Sequence, residues 1–322
     1  MRHYCLIIFE GNMKKLLVTL FAVLSFSAWA QKPENITMVI PAAASQSSTP
    51  LVLKLLDKAN LIQSKYFFTP EFKPGGNGIL GLKYMDASPQ DRISGIAPAF
   101  IENARSGMIN EADYVPVHAA GDVCWAVITN VGDSKRGVAS LADLKGKEVV
   151  VGGTGFGNAA HITSLMLAEK YGFKVRYIVF KANFDAVVNM VGNNGVNMAL
   201  ESINTYNQFK EKQPKLQMLG FNCVSRSEQA PELKTLREQG INAPMIFNMT
   251  VANKAMPEQR RKEIASILAQ ATMAIGPKEF NDVAGLYPPI FRGIDHEEFF
   301  TRRIGLMKSL VKKYEKEIEA SK

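Results

Sequence analysis

The chain has 322 residues, 47% hydrophobic and 21% charged, with a formal net charge of +8. This is ordinary for a globular protein, and the length lies at the upper edge of what one hydrophobic core supports, so two lobes are expected. Lys and Arg are scattered and no recognised nucleic-acid module appears, which argues against a nucleic-acid partner; the mild basic excess fits either solubility or attraction of small anions into a cleft.

At the start of the chain, Met13-Lys14-Lys15 precedes an uncharged run from Leu16 to Phe26, and Ala28-Trp29-Ala30 follows. A basic start, an apolar run of about a dozen residues and an A-x-A site form an export signal, with cleavage expected after Ala30. The run is shorter than the roughly 20 residues a membrane span needs. Residues 1–12 read as an upstream extension, and Cys5 is not in a lipobox context. Removing residues 1–30 takes away Arg2, Lys14, Lys15 and Glu10 and leaves a net charge of +6. Two cysteines then remain, Cys124 and Cys223, in the oxidising compartment an exported protein meets.

Short β-like runs then alternate with helical ones, an α/β pattern with mainly parallel sheets expected. Asn35 to Pro41 reads as a strand, followed by a small-residue loop from Ala42 to Ser48 and a helix with Leu51, Leu55 and Ile62 on one face. Lys65 to Lys73 is extended, and Pro70 places it at an edge or a bulge. A glycine loop, a helix from Ile79 to Asp86 and a short strand from Asp91 to Ala97 follow. Val123 to Asn130 is a strong strand. Ser140 caps a short helix ending at Gly146, and Val149 to Val151 runs into a second glycine loop. Helices are expected over His161 to Tyr171, Phe184 to Val191, Glu258 to Met273 and Glu297 to Ala320. Strands are expected at Arg176 to Phe180, Met198 to Leu200, Leu216 to Asn222 and Met245 to Val251. The basic cluster from Lys308 to Lys322 alternates with Glu315, Glu317 and Glu319 and reads as a solvated helix face.

The two glycine loops, GNGILG (Gly76 to Gly81) and GFGNAA (Gly155 to Ala160), each mimic a dinucleotide fingerprint. That fingerprint also requires a strand before it, a helix after it and an acid about 20 residues on. The first loop follows a Pro-containing strand, and Glu102 lies beyond a further strand. The strand after the second loop ends Val179-Phe180-Lys181, with no acid. Nucleotide binding is therefore rejected and no cofactor is expected. What survives is mechanical: glycine turns at helix N-termini present backbone N–H groups and the positive end of a helix dipole to small anions.

The ordered blocks VIPAAASQSST, FKPGGNGILGLKYM, DYVPV, VCWAVITN, SLADLKGKEVVVGGTGFGNAAHI and YIVFKANFDAVVNMVGNNGVNMAL resemble the substrate-binding receptors of the tripartite tricarboxylate transporters, the Bug family. The series matches from Ile36 to about Leu200, and the C-terminal third is compatible. The resemblance implies a two-lobed periplasmic-binding-protein type II fold, two mainly parallel sheets flanked by helices and joined by two crossover strands. Residues 31–123 and 223–322 would form lobe 1, and residues 124–222 lobe 2. It also implies a periplasmic, monomeric receptor that closes on a small organic carboxylate, holds it largely by backbone N–H groups and delivers it to transporter membrane subunits.

Carried over by position, the first family loop is Ala44, Ser45, Gln46, Ser47 and Ser48, where this chain lacks the usual glycines. Gly75, Gly76, Asn77 and Gly78 fit the second loop well. Thr154, Gly155, Phe156, Gly157, Asn158 and His161 form the third, with Phe156 offered to an apolar part of the ligand and His161 supporting the loop. In the fourth, Lys181 keeps the family cation and Asn183 adds an amide. Glu201, at a strand end, is a candidate for an ammonium or hydroxyl group or a partner for Lys181. The crossovers of such proteins run side by side, which pairs Cys124 with Cys223 in a hinge disulfide; two free buried thiols are the alternative. No G-x-S-x-G, H-E-x-x-H or C-x-x-C motif is present, and no metal cluster is visible, so an enzyme is not expected. A receptor feeding a two-component sensor and an exported enzyme on the same scaffold are the alternative functions.

Overall fold

The structure, a computed structural model, describes residues 32–44, 49–96, 100–123, 125–131, 138–223, 225–227, 229–244, 246–276, 278–279 and 296–322. The export signal, Ser45 to Ser48 and Cys124 lie outside the described residues.

β1 (Glu34–Ile40) buries Ile36, Met38, Val39 and Ile40, the near-continuous apolar run of a strand covered on both faces. α1 (Thr49–Ile62) buries Leu51, Leu55, Leu56 and Ala59 at helical spacing. β2 (Tyr66–Phe72) lies at the sheet edge, where Pro70 removes no needed ladder bond. A 3-10 turn (Gly76–Gly78) leads into α2 (Ile79–Asp86), then β3 (Arg92–Gly95) and α3 (Phe100–Arg105). β4 (Tyr114–Val123) and β5 (Trp125–Thr129) carry the chain from the first sheet to the second.

The second sheet continues with β6 (Glu148–Gly153), α4 (Ala159–Tyr171), β7 (Lys174–Val179), α5 (Asn183–Val191), β8 (Met198–Glu201), α6 (Ile203–Phe209) and β9 (Gln217–Asn222). The chain then returns through β10 (Ile246–Asn253) to α7 (Glu258–Ala274), α8 (His296–Lys313) and α9 (Glu315–Ser321).

The strand orders are β2-β1-β3-β10-β4 and β7-β6-β8-β5-β9, the expected two-lobed α/β architecture. One correction is needed: the sheets are mixed and not mainly parallel. β1 pairs β3, and β6 pairs β7 and β8, in parallel. The strands by which the chain enters each sheet from the other run against them: β10 is antiparallel to β3 and β4, and β5 to β8 and β9. A strand arriving from the other lobe enters the sheet from the end at which the parallel strands finish.

The predicted C-terminal helix is also broken, at Tyr314 (φ −102°, ψ 20°). This residue is buried and its hydroxyl bonds Glu169. α3 and α6 are short helices that the apolar periodicity did not reveal.

One apolar core is continuous from the first sheet, through buried side chains of α8 and α9 such as Ile304, Val311 and Ile318, to the α4 face of the second sheet. A separate cluster lies beneath α5 and α6, with Ala186, Val187 and Met190 against Ala126, Ile128 and Phe221. α5 lies so close to β6 that a Cβ on Gly152 would stand 2.5 Å from Ala186 Cβ and 3.2 Å from Val196 Cγ1. Gly152→Ala is expected to cost about 1–3 kcal/mol by overpacking; an unchanged urea midpoint would show that α5 has room to yield.

Candidate functional site

The pairing registers fix which loops share an edge. In the second sheet Gly153 aligns with Val179 and Gly152 with Ala199. Residues following β6, β7 and β8 therefore emerge together: Thr154 to Asn158, Lys181 to Asn183, and Ser202 beside Glu201. In the first sheet Val39 aligns with Ser94, and Lys73 N–H donates to Ile40 O (2.9 Å), which brings the loops after β1, β2 and β3 to one edge. Ligands of α/β sheets bind at these carboxyl ends.

Gly75, Gly76, Asn77 and Gly78 have φ of 121°, 55°, 56° and 94°. Four consecutive positive φ values require residues without a Cβ penalty, and Asn is the side chain that best tolerates the left-handed region. Gly78 N–H donates to Gly75 O (3.0 Å), and Asn103 Nδ2 from α3 donates to Asn77 O (2.9 Å). The two predicted loops meet here. A Cβ on Gly155 would overlap the Asn77 amide, with Asn77 Cγ at 2.7 Å; one on Gly157 would lie 3.1 Å from Glu102 Cβ on α3. Both glycines thus admit a close approach between lobes. Ala44 sits exposed in the turn after β1.

The second loop is held from within. Asn158 caps α4: its Oδ1 accepts from His161 N–H (2.9 Å) and Tyr177 Oη–H (3.4 Å), and its Nδ2 donates to Thr154 Oγ1 (3.1 Å). Asn158 is fully buried and spends its polar atoms inside the loop, as does the Thr154 hydroxyl. His161 Nδ1 accepts from Gly157 N–H (3.0 Å), so the ring proton sits on Nε2. Nε2 lies 3.3 Å from Ser321 Oγ, whose own proton goes to Glu317 O. The imidazole stacks on Tyr177 (4.1 Å, 28°), and Phe156 packs 6.0 Å from each ring. Burial pushes the His161 pKa down to about 4, against an opposing pull from Glu102. Burial likewise pushes the Tyr177 phenol up. His161 is therefore a neutral scaffold for the loop.

Glu102 is buried. Burial opposes its ionisation, but bonds from Arg105 (2.8 and 2.9 Å) and Lys322 (3.0 Å) outweigh this and hold its carboxyl below the usual range. Arg105 also pairs with Glu315 and Glu319, Lys308 with Glu111, and Lys313 with Glu169. The C-terminal charges are exposed, as a solvated helix face should be, and several also make ion pairs, because α8 and α9 lie against α3 and α4.

Of the remaining predicted residues, Lys181 is exposed and has no ion pair among the described residues. Asn183 is fully buried at the first position of α5. Glu201 is fully buried, and its Oε1 accepts from Ser202 N–H (2.7 Å). Cys223 is disulfide-bonded; Cys124 lies outside the described residues. The sequence reading missed Tyr177, Glu102, Arg105 and Ser321. No local sequence signal marks them; only the structure shows that the Tyr177 hydroxyl occupies the space a Cβ on Gly153 would need. Among the described residues, no group of three or more His, Cys, Asp or Glu is placed to hold a metal ion, and no helix is long and apolar enough to cross a membrane.

Residues 110–284, more than half of the chain, match the family model described as "ABC transporter, phosphonate, periplasmic substrate-binding protein". The chain belongs to this family of periplasmic substrate-binding proteins. Solved structures of such binding proteins share its fold. The periplasmic binding protein BugD matches with TM-score 0.69 at 19% identity, covering 87% of this chain and 97% of BugD. MatC from Rhodopseudomonas palustris, with bound malate, matches with TM-score 0.68 at 14% identity, covering 86% and 98%. An R. palustris protein with adipate matches with TM-score 0.72 at 16% identity, covering 90% and 98%. No curated protein matches the chain. The fold of this substrate-binding protein is thus that of the Bug-type receptors, two-lobed and of type II topology.

The buried, neutral His161 makes a pH prediction. Its folded pKa of about 4 lies below the unfolded value of 6.5, so the unfolded chain takes up a proton first as pH falls. Stability is full above about pH 6.5 and is lost progressively toward pH 4, by up to about 3 kcal/mol. His161→Gln is expected to flatten urea-midpoint profiles between pH 6.5 and 4.5; an unchanged slope would place the acid sensitivity elsewhere.

Proposed function

We propose that the protein is a periplasmic receptor that captures a small organic carboxylate between its lobes and delivers it to the membrane subunits of a tripartite tricarboxylate-type transporter. The observation that carries this reading is the meeting of two glycine loops, each at the carboxyl edge of its sheet and each opening a helix, at Asn77 and Gly155. Helix N-termini at such edges favour anions. The malate and adipate carried by structures of the same fold support a carboxylate over other anions.

On this reading residues 31–123 with 223–322 form one jaw and residues 124–222 the other. An export signal ending at Ala30 delivers the chain, a Cys124–Cys223 disulfide staples the hinge, and the protein acts as a monomer without metal or cofactor. Ala44 to Ser48, Gly75 to Gly78 and Thr154 to Asn158 line the cleft, and Lys181 supplies a nearby cation. Ligand stabilises the closed state by touching both jaws at once. The protein returns its ligand unchanged and is not an enzyme.

A thermal-shift panel of carboxylates, amino acids, aromatic acids and phosphonates tests the reading. At one hundred times the Kd a true ligand adds about 2.7 kcal/mol to stability, a clear rise in Tm. If no carboxylate raises Tm the carboxylate assignment fails, and a phosphonate hit alone would replace it. Gly155→Val probes the jaw contact: affinity for a carboxylate hit is expected to fall about tenfold or more, roughly 1.4 kcal/mol per decade. Unaltered affinity would mean that the Asn77–Gly155 approach is no part of the liganded state.

A further inference from the structure

Most buried side-chain amides near the cleft are spoken for. Asn158 uses both ends within its loop, Asn222 Nδ2 donates to Pro244 O, and Asn103 Nδ2 donates to Asn77 O. Asn183 differs. It is fully buried, and neither its Nδ2 nor its Oδ1 has a hydrogen-bond partner. Native proteins leave few buried polar atoms unpaired, because each forfeits its bonds to water without replacement. Asn183 is also the first residue of the nine-residue helix α5. α5 packs across β6 and β8, so its start comes to the sheet edge where the Thr154–Asn158 loop emerges and where β8 ends at Glu201.

We infer that Asn183 forms a hydroxyl-recognition subsite in the second lobe, so that the captured acid is a hydroxycarboxylic acid and not a plain mono- or dicarboxylate. This rests on the proposed carboxylate receptor. An amide left with both ends open requires a group that donates and accepts. A carboxylate only accepts and would leave Oδ1 unpaired; an ammonium only donates and would leave Nδ2 unpaired; a hydroxyl answers both. Charge points the same way. Asp185 sits in the first turn of α5, where its Oδ2 accepts from Ala182 N–H (3.1 Å). An acidic side chain there disfavours a second carboxylate and favours a neutral polar group, while the carboxylate of the ligand is held by the glycine loops.

The test compares matched acids that differ by one hydroxyl: lactate with propionate, malate with succinate, and 2-hydroxyglutarate with glutarate. Their binding to the purified protein is measured by calorimetry. The hydroxylated member of at least one pair is expected to bind about tenfold or more tightly. In Asn183→Leu and Asn183→Ala that ratio is expected to collapse to less than about threefold. Asn183→Leu, which replaces an unpaired amide by an apolar side chain of similar shape, is also expected to raise the ligand-free Tm by roughly 2 °C. If acids bind without preference, or the preference survives both substitutions, the inference is overturned and the carboxylate receptor stands. If no acid of either kind binds, the proposed function falls and this inference with it.

Discussion

A parallel strand pair cannot be closed by a hairpin. Each return needs a crossover, usually a helix, long enough to carry the chain back to the starting edge of the sheet. That requirement decides where the site is. In the second sheet β6, β7 and β8 run in parallel, so α4, α5 and α6 all begin at the same edge. The first sheet does the same with β1 and β3 and the helices that follow them. Helix starts carry N–H groups with no intrahelical acceptor. A fold of this kind therefore collects its spare backbone donors along two edges before any particular side chain is chosen. β4 and β9 run with the parallel strands and carry the chain out of their sheets, and β5 and β10 run against them and carry it in.

The side chains at the edges follow from how closely those edges approach. Gly155 and Gly157 are glycine because Asn77 and Glu102 occupy the space a Cβ would fill. The four positive φ values from Gly75 to Gly78 shape the facing surface. Polar groups nearby are spent on holding the loops: Asn158 on capping, His161 on Gly157 N–H, Tyr177 on Asn158. This division of labour explains why the site has so few charged candidates. The loops present backbone and are kept in shape by buried, neutral side chains, so Asn183, buried and unpaired, stands apart from its neighbours.

How much was legible in the sequence follows from the same physics. Strands such as Asn35 to Pro41 and Val123 to Asn130 and the two glycine loops were readable because apolar runs and glycines are local signals. The mixed character of the sheets was not, since strand direction is settled by partners far away in the chain. The Lys308 to Lys322 face is solvated as its alternating charges read, but its ion-pair partners Arg105, Glu111 and Glu169 were not legible, because only packing brings them near. α3 was missed because it spans six residues, too few for a 3.6-residue period to declare itself, yet it carries Glu102, Asn103 and Arg105.

The C-terminal helices contact α3 and α4 through polar interactions of unequal strength. Toward the first lobe, α9 sends Lys322 to the buried Glu102, which Arg105 also holds, and Arg105 pairs in turn with Glu315 and Glu319. Removing a partner from a buried carboxylate strands a charge away from water, which is costly. Toward the second lobe, α8 offers Lys313 to Glu169, and both side chains are more than half exposed. Exposed pairs of this kind contribute about 0–1 kcal/mol and exchange readily for water. The Ser321–His161 contact is a single 3.3 Å bond between neutral groups. The ion pairs to α3 therefore hold more strongly than those to α4, while the apolar core that α8 and α9 share with both sheets is continuous. One of the contacts to α4 ends on His161, whose Nδ1 accepts from Gly157 N–H, so the C-terminal segment touches the residue that shapes the second glycine loop.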